Sequence, residues 1–134
     1  MKNKAEYQIS SSVNEDILEI IITGEFAASA VEEIQNKVAD IIQAKGLKNL
    51  LVDARAINGP RIGTIENYNA VRRPLPNIPK VNAAVVDLPE NADKGEFLET
   101  TAQNAGHTLK FFTDIDAART WLHNKLRRVN TADL

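Results

Sequence analysis

Residues 81–88, VNAAVVDL, are apolar on both faces, and this constrains the fold more than any other feature of the chain. A strand of that kind is buried on both sides, so it lies inside a sheet that is covered above and below. The segments around it fit such a sheet. Residues 47–53 read as a buried strand, and residues 109–113 read as another. Between the strands, apolar residues recur at helical spacing. Val31, Ile34, Val38, Ile41 and Ile42 form one stripe, and Phe97, Leu98, Thr101, Ala102 and Ala105 form a second.

The ends of these helices carry their own signals. Ser29 and Glu32 have the spacing of a capping box, and Gly46 stands where a helix closes in the left-handed conformation. Thr64 is placed to cap a further helix carrying Ile65, Tyr68 and Val71, which Pro74, Pro76 and Pro79 end. Gly106 stops the next helix. Asp114 caps a last one, with Ala117, Ala118, Trp121 and Leu122 inward. Leu122, Leu126 and Val129 carry the spacing on, so this helix is expected to reach about residue 128. Residues 1–124 are expected to form one domain, and residues 125–134 a basic, then polar, tail.

The N-terminal part is different. Tyr7, Ile9, Ser11 and Val13 alternate with polar residues, Asn14-Glu15-Asp16 is turn chemistry, and residues 17–23 are β-branched and apolar. This is an antiparallel hairpin. The expected fold is therefore α/β, with a mixed, mostly parallel five-stranded sheet flanked by about four helices. Val31, Ile34, Val38, Ile41, Leu51, Val85, Phe111 and Trp121 are expected to share the core.

The run from the hairpin through Gly24-Glu25-Phe26, the strand ending in Val52-Asp53, the Gly59-Pro60 loop, VNAAVVDL, and the closing FFTDIDAARTWL resembles the SpoIIAA-like proteins, bacterial relatives of the STAS and CRAL-TRIO domains. The resemblance spans roughly residues 7–122. It implies a mixed sheet flanked by helices and a non-enzymatic regulatory or ligand-binding role. STAS antagonists carry a phosphorylatable serine in the loop that corresponds here to residues 58–64. That loop holds no serine, and its one hydroxyl, Thr64, is needed as a cap. The resemblance therefore implies a module without the switch serine.

Composition narrows the partners. The 134 residues carry a net charge of -2, so no electrostatic footprint for nucleic acid is present. There is no cysteine, which removes thiolate metal sites and thiol catalysis. Apolar runs such as Ile20-Ile21-Ile22 are far too short for membrane insertion, and a cytoplasmic location is expected. No cofactor is expected, and His107 and His123 have no carboxylate at metal-binding spacing.

Ligands of open α/β sheets bind at the carboxyl ends of the parallel strands. Those ends bring forward Asp53, Arg55, Asn58, Gly59, Arg61, Thr64 and Asp87 as candidate ligand-binding residues. A helix N-terminus beside Arg61 would suit an anion. No base–nucleophile pair is visible, so catalytic residues are expected to be none. The first reading is a regulatory or interaction module with a protein partner or a small anionic or lipid-like ligand. The alternative is an enzyme acting on a small anionic substrate in the strand-end cleft. The apolar residues of the tail need a cover, either the domain itself or a second subunit, and the second alternative would make the chain a homo-oligomer.

Overall fold

A computed structural model of the chain describes residues 7–25, 31–58, 81–104 and 108–132. Five strands form one sheet in the order β1-β2-β3-β4-β5. They are β1 (Tyr7–Asn14), β2 (Ile17–Glu25), β3 (Asn49–Asn58), β4 (Asn82–Val86) and β5 (Thr108–Phe112). The β1–β2 pair is antiparallel and the other three pairs are parallel. Three α-helices are described: α1 (Val31–Lys45), α2 (Ala92–Asn104) and α3 (Ile115–Ala132). A 3-10 turn, Pro89–Asn91, precedes α2. The expected Ser29 cap, the Gly106 stop, and the helix beginning at Thr64 lie outside the described residues.

Local chemistry sets most of the ends. The hairpin turns on Glu15 and Asp16, both at positive φ (51° and 66°), the geometry of a two-residue turn that matches strand twist. At the end of α1, Gly46 takes φ 65°, and the N–H of Leu47 reaches back to the carbonyl of Ile42. Asp114 caps α3, its Oδ1 accepting from the N–H of Asp116 at 3.2 Å. That helix then runs to Ala132, four residues beyond the expected end.

The buried residues divide between the two faces of the sheet, and this corrects the expectation of a single shared core. On the first face, Leu18, Ile20, Ile22, Leu50 and Ala83 pack with Ile42, Val38 and Ile41 of α1. On the second, Ile17, Leu51, Ala84 and Val86 pack with Ala118, Leu122 and Trp121 of α3. Val38 and Ile41 therefore never meet Leu51 and Trp121, because the sheet stands between them. Trp121, Val85 and Phe111 are only partly buried. The division follows from topology. Parallel strands laid down in one direction with right-handed crossovers put their crossover helices on one face, as α1 is, while the terminal helix α3 packs on the other.

α2 lies against the edge strand β5. A Cβ added at Gly95 would clash with the ring of Phe111. Gly95→Ala therefore sets two effects against each other. Helix propensity favours alanine by about 1 kcal/mol. Overpacking costs about 1–3 kcal/mol, and the ring atoms met are Cγ and Cδ1, next to the backbone rather than at a flexible tip. A net loss of about 1 kcal/mol in a urea melt is expected, and a gain would show that Phe111 shifts freely.

Candidate functional site

The strand that carries the site runs further than its sequence implied. Residues 54–58 were expected to leave the sheet, with Asn58 in a turn. Instead β3 continues to Asn58, which pairs with Glu25. The reason is a bulge. Ile21 pairs with Asp53 but Thr23 pairs with Ala56, so Ala54 and Arg55 together oppose Ile22. The extra residue breaks the period-2 alternation. Ala54 and Ile57, three positions apart, both enter the first-face core, while Ala56 is exposed.

The bulge places Arg55 beside Asp53. The carboxylate accepts from Nε (2.9 Å), Nη2 (2.8 Å) and the backbone N–H (3.1 Å) of Arg55. This hydrogen bonding to the guanidinium holds the Asp53 carboxyl below its ordinary range against the opposing effect of burial, and the charges of Arg55 and Arg119 add to it. The pairing contributes stability above the ordinary aspartate range and loses it as pH falls through the lowered value. Arg55 is raised in turn, chiefly by Asp53, with a smaller contribution from Asp114.

A second pair stands alongside. Glu19, on the second face of β2, is 7% exposed. Its two carboxylate oxygens accept from Nε and Nη2 of Arg119 on α3, both at 3.0 Å. This side-on geometry is the strongest form of the interaction, and it raises Arg119. Both arginine side chains keep 40% exposure while their carboxylate partners are nearly covered. Half-exposed guanidinium groups therefore cap two buried acids at the rim of the second face.

Of the candidate residues, Asp53 and Arg55 come together. Asp87 does not join them. Its Oδ1 accepts from the N–H of Leu88 (2.7 Å) and from Nδ2 of Asn91 (3.2 Å), shaping the 3-10 turn before α2. Gly59, Arg61 and Thr64 lie outside the described residues, as does His107. His123, expected in solvent, has Nε2 3.1 Å from a carboxylate oxygen of Glu15 in the hairpin turn. Among the described residues, no three His, Cys, Asp or Glu side chains are grouped to hold a metal ion. No described helix is long and apolar enough to cross a membrane.

A five-stranded sheet of this order, opened by an N-terminal hairpin, belongs to a chain with similar folds among solved structures. One is an anti-sigma factor antagonist from Mycobacterium paratuberculosis, with a TM-score of 0.58 at 11% identity over 92% of this chain and 99% of that one. Another is an uncharacterized protein of the DUF3478 family from Shewanella loihica PV-4 with a SpoIIAA-like fold. Its TM-score is 0.56 at 14% identity, over 91% of this chain and 98% of that one. The fold is SpoIIAA-like. No protein-family model and no curated protein matches the chain.

Within this SpoIIAA-like frame, the Glu19–Arg119 pair is the feature that sequence reading missed. A signal was present. Glu19 is the lone charge inside the run ILEIIIT, at a period-2 position that faces the core. A carboxylate there requires a partner. Arg119 immediately follows the inward Ala118 on the last helix, which made it the nearest cation in pattern though not in sequence.

Proposed function

We propose that this chain is a non-enzymatic regulatory or interaction module that works by constitutive binding, without a phosphorylation switch. Its binding edge is the carboxyl end of β3, where an anionic group of a small ligand or of a protein partner is received. The observation that carries this reading is the pairing of half-exposed Arg55 with nearly buried Asp53 at the bulge. Asp53 fixes the guanidinium in place and the exposed part remains toward solvent, so little conformational entropy opposes a contact there. Arg61 and Thr64 follow in sequence and supply a second cation and a hydroxyl. The acids of this rim support binding over catalysis. Asp53 and Glu19 are each committed to an arginine, which suits neither to general-base work. The use of the same fold by a protein described as an anti-sigma factor antagonist agrees with a role in interaction.

Titration with inorganic phosphate, followed by backbone amide NMR, tests the edge. Saturable shifts are expected from Arg55 to Ile65, and Arg61→Ala is expected to abolish them. No saturable shift up to about 10 mM phosphate, weaker than any useful affinity, would overturn the anion-binding edge.

A further inference from the structure

We infer that β1 is a self-pairing edge, through which two copies of this chain join antiparallel into one continuous sheet. The inference begins with the sequence of the strand. Gln8-Ile9-Ser10-Ser11-Ser12-Val13-Asn14 is chemically palindromic about Ser11. Reading outward from the centre, serine answers serine, a β-branched aliphatic answers a β-branched aliphatic, and a side-chain amide answers a side-chain amide. An antiparallel pair of identical strands related by a two-fold axis at Ser11 sets just these residues opposite one another. Ile9 then meets Val13 of the second copy, Ser10 meets Ser12, and Gln8 meets Asn14.

The backbone is in phase for this pairing. The hairpin turn Asn14-Glu15-Asp16-Ile17 has two central residues, so its closing hydrogen bond runs between Asn14 and Ile17 and turns the amide and carbonyl of Asn14 toward β2. The β1–β2 register is unbroken from Tyr7 to Asn14. Backbone direction alternates along a strand, so Ile9, Ser11 and Val13 present their N–H and C=O groups to the open edge. A two-fold axis on Ser11 pairs these three residues with one another and with none of their inward neighbours.

The edge is also open and undefended. Residues 10–14 are exposed on both sides of the sheet, and no described helix stands in the way of a second strand. Val13 is 43% exposed, an apolar side chain for which Ile9 of another copy is a fitting cover. Edge strands are ordinarily blunted by charge, proline or a bulge. β1 has none of these, being uncharged along its eight residues. The opposite edge of the same sheet is blunted: on β5 the N–H of Phe111 is taken by the carboxylate of Glu99 from α2. One edge is closed by a side chain and the other is left self-complementary. A strand from an unrelated protein could use the open hydrogen bonds, but it would have no reason to match a palindrome.

The chain has no cysteine, so one introduced thiol reports the register. In the hydrogen-bonded pair at the axis the two Ser11 Cα atoms lie about 5.5 Å apart, within the roughly 4.4–6.8 Å that a disulfide spans. Ser11→Cys in the full chain is therefore expected to form a covalent dimer under mild oxidation. Gln8→Cys, whose two copies lie six positions apart or about 20 Å, is expected not to. Sedimentation equilibrium between about 10 μM and about 1 mM is expected to show a weak monomer–dimer equilibrium. Ser11→Lys, which sets like charges opposite each other on the axis, should weaken it by about tenfold or more while leaving the exposed site folded. A monomer across that range, crosslinking as efficient at Gln8→Cys as at Ser11→Cys, or a dimer indifferent to Ser11→Lys would each overturn the inference.

Discussion

Leu122→Ala is expected to cost about 3–5 kcal/mol, a large share of the whole stability of a domain this size. Leu122 is fully buried, and its neighbours explain the magnitude. The second-face core contains Ile17, Leu51, Ala84, Val86 and Ala118. Two of these are alanines, fixed close to the backbone of β4 and α3, so they cannot move to fill the space that a lost isobutyl group leaves. A site that cannot collapse keeps its cavity, and the cavity adds to the lost transfer energy. Leu51→Ala, from the sheet side of the same cluster, should cost a similar amount. Trp121→Ala should cost less than either, although tryptophan is larger. The indole is only partly buried, its ring 5.8 Å from that of Phe112 and with the Lys125 ammonium 5.2 Å from its centre. Urea melts of the three variants give the order directly. If Trp121→Ala proved the most damaging, α3 would not pack on the sheet through Ala118 and Leu122.

What the sequence made legible was local. The Asn14-Glu15-Asp16 turn, Gly46 at the close of α1, and Asp114 at the start of α3 each act within a few residues, and each is where its chemistry placed it. The mixed, mostly parallel character of the five-stranded sheet followed from the N-terminal hairpin and the alternation of strand and helix after it, together with the resemblance to SpoIIAA-like proteins. What was not legible depended on pairing across distance. The segment DARAIN looks like a loop by composition, yet it is strand because β2 continues to Glu25 and offers it a ladder. The bulge at Ala54-Arg55 has no glycine to announce it, and it decides where Arg55 points. The two-sided core was readable in principle from Leu50 and Leu51, adjacent apolar residues in one strand that must face opposite ways. Grouping all apolar stripes into one core overlooked that parity.

Arg119→Met is expected to be the most damaging change at the candidate site, at about 3 kcal/mol. The substitution keeps most of the aliphatic volume against α3 but removes the only group seen to neutralise Glu19 among the described residues. A carboxylate that is 7% exposed would then be left in the sheet without its donors. Breaking a buried pair from one side costs about 3–5 kcal/mol, and the low end applies because Arg119 is 40% exposed and water reaches the rim of the pair. Glu19→Leu should cost less, about 1 kcal/mol, since the stranded arginine can turn to solvent or to Asp116, 3.7 Å away. The double variant Glu19→Leu/Arg119→Met should lie closer to the parent than Arg119→Met alone, because two apolar groups of similar size replace two mutually dependent charges. The cycle closed by these four proteins would then give a coupling of about 2 kcal/mol. Additive losses, with the double variant worse than either single one, would mean that the pair contributes packing alone. The same series bears on binding, because Arg119 contributes to holding Asp53 ionised beside Arg55. Removing it should leave the Asp53–Arg55 hydrogen bonds in place while weakening their electrostatic support, so the rim would loosen from the helix side inward.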